Sequence, residues 1–301
     1  RSSPMSWFTK LLYKAEALYV QTAVVPDVSR KKRTTLADSP TPKDAPTFDH
    51  SEWDGVLRAH VTTGGSIDDV SDINLVDYEG MANDGRFASY LKSLAAADVE
   101  TLPVSEQLAL WMNAYNALCI SLLIEQQKIR GAPVASINDL STKKVQVWDM
   151  PAGVVGGATV SLGDVEHVKL RGAFDEPKLH ACIVCASASC PNLRREAFVA
   201  SRLRAQMDDA FGAFMANPTK GLSYGPAADG ASSDRPQLRL SRIMLWFAAD
   251  FGGAASAARC AIGALPATHE LRSAGREAAT AAAVKAPKYF TYSWSMNRTP
   301  S

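Results

Sequence analysis

The residues best equipped for chemistry lie between Glu166 and Pro191, where Glu166, His167, Arg171, His180, Cys182, Cys185, Ser187, Ser189 and Cys190 follow one another. Two of the five histidines and three of the five cysteines fall in this stretch. Cysteine beside histidine is the minimum for a thiolate nucleophile, because imidazole can take the thiol proton, and both also bind soft metals. The spacings C-x2-C and C-x4-C, with His180 five residues before Cys185, match no zinc ribbon, zinc finger or c-type haem pattern, so metal binding is left open. In a regular strand His180, Cys182 and Val184 would share a face and Cys185 would point away. Cys190 lies beyond that strand, ahead of a predicted helix that Pro191 could open. There the helix N-terminus would favour its thiolate, which makes Cys190 the first nucleophile candidate. The competing reading is a buried cysteine acting as a small hydrophobe.

A second polar signal sits in LALWMNAYNALCISLLI, where Asn113 and Asn116 are three residues apart and therefore on one side of an apolar helix. An amide buried without partners costs about 1–3 kcal/mol, so both side chains must bond something specific. Either they wall a site, or they tie a neighbouring backbone to the helix.

The elements that would hold these residues follow from periodicity. Trp53, Val56, Leu57, His60 and Val61 line one predicted helical face; Phe87, Tyr90, Leu91 and Leu94 line another after a Gly- and Asp-rich turn. Ser105–Gln127 is predicted as a central helix, apolar nearly all round. Val145–Trp148 and Ala158–Leu162 are short strand candidates, with Gly153, Gly156 and Gly157 marking a turn. Leu179–Ala186 reads as the strongest buried strand and Asn192–Ala216 as an amphipathic helix. Gly221–Pro236 reads as a loop, Leu238–Phe251 as a strand end running into a helix, and Ala254–Leu265 as a last short helix. The expected fold is α+β: a mainly helical single core domain over residues 48–265 with a small sheet around Leu179–Ala186, flanked by extended arms.

The arms are residues 1–47 and 266–301. Residues 5–24 carry an apolar stripe at helical spacing; a Pro-rich strap with the basic run Arg30, Lys31, Lys32, Arg33 follows. Residues 1–44 hold eight Lys/Arg against four Asp/Glu, a balance suited to an acidic partner or an anionic lipid surface. The C-terminal tail places Tyr289, Phe290, Tyr292 and Trp294 together, aromatics that need a surface. That surface belongs either to a partner or to the chain's own core.

At 301 residues with 47% hydrophobic and 21% charged residues, the composition is that of a globular protein, and a formal net charge of +1 gives no reason to expect a nucleic-acid partner. The longest apolar run, Leu108–Ile124, is interrupted by Asn113, Asn116 and Ser121. Five cysteines in so long a chain do not look like a disulfide framework. The opening Arg1 fits either a removed targeting segment or a missing N-terminus, and an organelle, chloroplast or mitochondrion, is the expected location.

Five ordered blocks resemble the DUF547 family: INLVDYEGMANDGRFASYLKSL, EQLALWMNAYNAL, LGDVEHVKLR, DEPKLHACIVCASASCPNLR and LSRIMLWFAADFGG, in a resemblance that covers roughly residues 50–255. The family pattern maps onto Asn113, Tyr115, Asn116, Glu166, His167, Arg171, His180, Cys185, Ser187, Cys190 and Pro191. Lys178 departs from it, standing where the family often has Arg. The family has no assigned function, so the resemblance implies no reaction and no cofactor.

Two functional expectations result. The first is a non-catalytic accessory subunit of an organellar multiprotein complex, held to other protein subunits through residues 1–47 and 267–301, with peripheral membrane contact as an addition. The second is a thiol-dependent hydrolase or transferase, with Cys190 or Cys185 as nucleophile, His180 or His167 as base, and Asn113 or Asn116 orienting the base or binding an oxyanion.

Overall fold

In the computed structural model the described residues are 33–36, 44–225, 236–272, 284 and 287–300. The helix expected over residues 5–24 and most of the basic strap lie outside them. The fold is α+β, helices with small sheets of two or three strands. The chain divides into two compact units, one containing Lys31–Phe214 and Ser293–Ser301, the other Met215–Tyr292. That division falls inside the stretch read from sequence as one core.

The larger unit begins with α1 (Ser51–His60), which buries Trp53, Val56 and Leu57 and carries Glu52 and Asp54 in its first turn, where the helix dipole favours acid. A hairpin follows, β1 (Val61–Ile67) against β2 (Val70–Val76), antiparallel with Val61 opposite Val76 and Ile67 opposite Val70. The sequence places only a turn here: Gly64, Gly65 and the Asp68–Asp69 pair have low strand propensity, and two register shifts break the alternation. Asp77 and Asp84 cap α2 (Tyr78–Asn83) and α3 (Gly85–Ala95), each accepting a backbone N–H through its carboxylate.

The central helix, α4 (Val104–Arg130), starts after Pro103 and stops at Gly131, whose φ of +69° is the left-handed conformation that ends helices. It is buried almost continuously from Ser105 to Leu123. Its length and composition would suffice to cross a membrane, but a buried core helix has the same properties, and here it is buried within the protein. The hairpin β3 (Pro151–Val155) and β4 (Ala158–Ser161) packs on it. Gly153 allows this approach, since a Cβ there would stand 2.4 Å from Leu118 Cδ2. Val145–Trp148 is not a strand; Val147–Asp149 forms a 3-10 turn instead.

Two larger corrections concern the chemistry-bearing region. Leu179–Ala186 is no strand: Pro177–Ala181 forms a 3-10 turn and, among the described residues, no ladder partner lies alongside. Nor does a helix start at Asn192; helical structure begins at Ala200 and continues as α5 (Leu203–Ala216). The backbone of residues 192–199 is held by side chains instead. Asn74 takes the Leu193 carbonyl, Asp54 the Ala197 N–H, and Gln206 the Val199 N–H and Ala197 carbonyl. Side-chain bonds of this kind compete with helix formation.

The smaller unit holds a three-stranded sheet in the order β5 (Leu222–Gly225), β6 (Gln237–Leu240), β7 (Lys288–Tyr289), antiparallel and then parallel. It also holds the short α6 (Ile243–Trp246) and α7 (Ala254–Gly263), whose Ala257, Ala258 and Ala261 are fully buried.

The aromatic tail folds back on its own chain. Tyr289 joins β7, and the Tyr292 ring lies 4.8 Å from that of Trp246, both in the smaller unit. In the larger unit Trp294 meets Trp148, Met296 bridges Ser187, and Arg298 bridges Val76.

Candidate functional site

Asn113 and Asn116 point from α4 at two stretches of irregular backbone, and each grips one with both ends of its amide. Asn113 Nδ2 donates to the Phe198 carbonyl at 2.8 Å while its Oδ1 accepts the Phe198 N–H at 3.0 Å. Asn116 Nδ2 donates to the Cys182 carbonyl at 2.9 Å while its Oδ1 accepts the Val184 N–H at 2.8 Å. The amides thus supply the partners that a neighbouring strand would otherwise have given the backbone of Cys182 and Val184. Of the two sequence-level readings of this pair, the tie between helix and backbone is the one observed. A void of about 10 Å³ lies beside Asn116, between Tyr78, Ile120, Val184 and Asn297, at the lower limit for a single water.

The sulfur atoms gather on the next loop. Cys185 Sγ lies 2.6 Å from Cys190 Sγ and 3.3 Å from Ser187 Oγ, and the Cys185 N–H donates to Cys190 Sγ at 3.2 Å. Both residues are thiols here, not a disulfide. Between them Ala186 has φ +64°, a left-handed conformation that non-glycine residues rarely hold and that concentrates at functional sites. Cys190 is not at a helix N-terminus, because residues 191–199 form no helix. Its expected activation by a helix dipole is therefore withdrawn, and Cys185, partly exposed where Cys190 is buried, is the better placed of the two thiols. Burial pushes the thiols of Cys119 and Cys182 well above the ordinary range, so both are inert as nucleophiles.

Glu166 and His167 sit on a π-helix, Asp164–Leu170, closed by the Arg171 N–H on the Glu166 carbonyl at 2.9 Å. Wider helical turns of this type are rare and recur at functional positions. Tyr115, between Asn113 and Asn116 in sequence, donates its hydroxyl to Glu166 Oε2 at 3.3 Å. Burial first, and then the Glu166 charge, keep the Tyr115 phenol protonated far above neutral pH. His167 Nδ1 lies 3.1 Å from the buried Arg171 guanidinium. His180 is buried on the Pro177–Ala181 turn. The hydrogen bonds of Asn113 and Asn116 go to backbone groups and not to either histidine or either thiol, so the proposed oxyanion or base-orienting role of the amides is not what their geometry serves.

Some contributors were invisible in sequence. Asn297 from the tail accepts the Tyr78 hydroxyl at 2.7 Å, and Arg298 lies over the Tyr78 ring. Gln206 clamps the segment that Asn113 also holds. None carries a local motif; the one available hint was the rarity of buried amides in apolar settings. Among the described residues no group of three or more His, Cys, Asp or Glu is arranged to hold a metal ion.

No curated protein and no solved structure matches the chain. A family model does, described as a protein of unknown function, DUF547, over residues 99–215. The match is narrower than the resemblance over residues 50–255, yet it takes in α4, the π-helix, the thiol loop and nearly all of α5. Residues 99–215 are thus similar to the DUF547 family, and the likeness is confined to that stretch.

Proposed function

We propose that this chain is a non-catalytic accessory subunit of a larger multiprotein complex. What supports this most is the use made of Asn113 and Asn116: all four of their hydrogen bonds hold backbone, at 2.8–3.0 Å. A polar core spent on fixing irregular chain to a central helix serves as a scaffold. Other protein subunits are the partners in this proposal. Contact runs chiefly through residues 1–47, whose sequence carries an apolar stripe at helical spacing and a basic strap, and through residues 267–301. An organellar location and peripheral membrane contact accompany this role, resting on the basic character of the N-terminal arm. The test is purification from native cells with and without residues 1–47. Loss of the co-migrating subunits, with the truncated chain still soluble, is expected; an intact complex after deletion refutes the proposal.

A thiol-dependent hydrolase or transferase is the second reading, favoured by the contact of the partly exposed Cys185 with Ser187 and Cys190 on a strained loop. It predicts that an activated thioester leaves an acyl group on Cys185, seen by intact mass and absent in Cys185→Ser. No adduct on the wild-type chain overturns it.

A further inference from the structure

We infer that Cys185 and Cys190 are a reversible oxidation site, which a hydroperoxide closes into a disulfide, and that this closure locks the seat of the C-terminal tail. Independent observations meet on the one loop. The two sulfurs are already in contact at 2.6 Å, so no hinge has to move before they can bond. The Cys185 N–H points at Cys190 Sγ, a donor that stabilises negative charge on that sulfur. Cys185 is partly exposed while Cys119, Cys182 and Cys190 are buried, so an oxidant from solvent meets Cys185 first within this loop.

The same loop carries the tail. Ala188 N–H donates to the Ser295 carbonyl at 2.8 Å and Ser189 N–H to the Ser293 carbonyl at 3.3 Å. In return the Ser293 N–H donates to Ser189 Oγ at 2.9 Å, and the Asn297 N–H to the carbonyl of the left-handed Ala186 at 3.0 Å. Every residue between the two cysteines therefore has its backbone or side chain engaged by residues 293–297, Ser187 through its bridge with Met296. A covalent link between the loop's ends restricts the conformations available to all four.

The chemistry balances as two displacements. The Cys185 thiolate attacks one peroxide oxygen, the O–O bond breaks, and the departing oxygen takes up a proton as water or, for an organic hydroperoxide, as an alcohol; Cys185 is left as the sulfenic acid. The Cys190 thiolate then attacks the Cys185 sulfur and expels hydroxide, which leaves as water once protonated. In total two thiols are oxidised, two protons and two electrons pass to the peroxide, and one S–S bond forms. A small-molecule dithiol reverses it by thiol–disulfide exchange.

The experiment uses the full chain. Protein is treated with limiting hydrogen peroxide, thiols are blocked with one maleimide, the sample is reduced, and the released thiols are labelled with a second. Residues 179–194 form one tryptic peptide containing Cys182, Cys185 and Cys190, so its fragment ions place both labels. The second label on Cys185 and Cys190 together, with the first on Cys182, is the expected result. Sulfinic acid on Cys185 without a link, or the second label on Cys119, Cys182 or Cys260 ahead of this pair, overturns the assignment. Amide exchange is then followed at residues 293–297, where the oxidised chain should exchange about tenfold more slowly than the reduced one. Equal exchange refutes the locking of the tail. Cys185→Ser should show no peroxide-dependent change in either measurement; a change that persists in it also refutes the inference. The wild-type label map stands alone if that variant fails to fold.

Discussion

Replacing Asn113 with alanine should destabilise the larger unit far more than the loss of one polar side chain on a helix would suggest. The substitution removes two hydrogen bonds and leaves the Phe198 N–H and carbonyl without partners at a position only 2% exposed. Each buried backbone group left unsatisfied costs about 1–3 kcal/mol, giving about 2–6 kcal/mol for the pair. Alanine favours the helix over asparagine by about 0.6 kcal/mol, which offsets a small part of this. Gln206 cannot substitute, because its own amide already holds Val199 and Ala197. In urea, with a slope of about 3 kcal/mol per M, a loss of about 4 kcal/mol lowers the midpoint by roughly 1 M. Asn113→Asp is a useful companion: it keeps an acceptor for the Phe198 N–H, loses the donor and buries a charge, so it should do no better at neutral pH. Asn113→Ala and Gln206→Ala together should be non-additive by about 0.5 kcal/mol or more, since both hold one segment. A midpoint shift below about 0.2 M for Asn113→Ala, with additive behaviour in the double variant, would refute the clamp.

Asn116→Leu should behave likewise, losing about 2–6 kcal/mol by orphaning the Cys182 carbonyl and Val184 N–H; unchanged urea stability would count against the Asn116 clamp. Burial holds His50 neutral, its pKa lowered from 6.5 to about 4. Because the folded-state value lies below the unfolded one, this contribution is complete above pH 6.5 and is lost as pH falls toward 4. The gap is worth about 3 kcal/mol in all. Wild-type stability should therefore drop between pH 7.5 and 5 more than that of His50→Gln, and parallel curves would show that His50 is not responsible. Asp68 Oδ2 accepts the hydroxyls of both Ser293 and Ser295, so Asp68→Asn should speed amide exchange across residues 293–299 by roughly fivefold; protection equal to wild type would refute this anchoring. With a limiting alkylating reagent on the reduced chain, Cys185 should be modified before Cys119 and Cys182, whose thiols burial pushes up, and modification of either buried thiol first would contradict that order.

Much of the helical framework was legible from residue order alone. Apolar residues at helical spacing determine α1, α3 and α4, and a helix reveals itself because its hydrogen bonds are local and its buried face repeats every few residues. The strand at Ala158 was legible beside its glycine punctuation, and a last short helix was legible over residues 254–263. The resemblance to DUF547 came from ordered blocks, and it was those blocks, not composition, that brought Tyr115 into view beside the cysteines. Residue order also showed that Asn113 and Asn116 needed partners. It could not say which, because the groups they bond lie 85 and 66–68 residues away. Only the tertiary structure decided that these amides replace a strand's ladder at Cys182–Val184 and part of a helix's hydrogen bonding at Phe198. That is why both the strand at Leu179–Ala186 and the helix start at Asn192 were misread: local apolar pattern specifies which residues go inside, whereas the partner of each backbone N–H and carbonyl is chosen by whatever the rest of the fold brings within 3 Å.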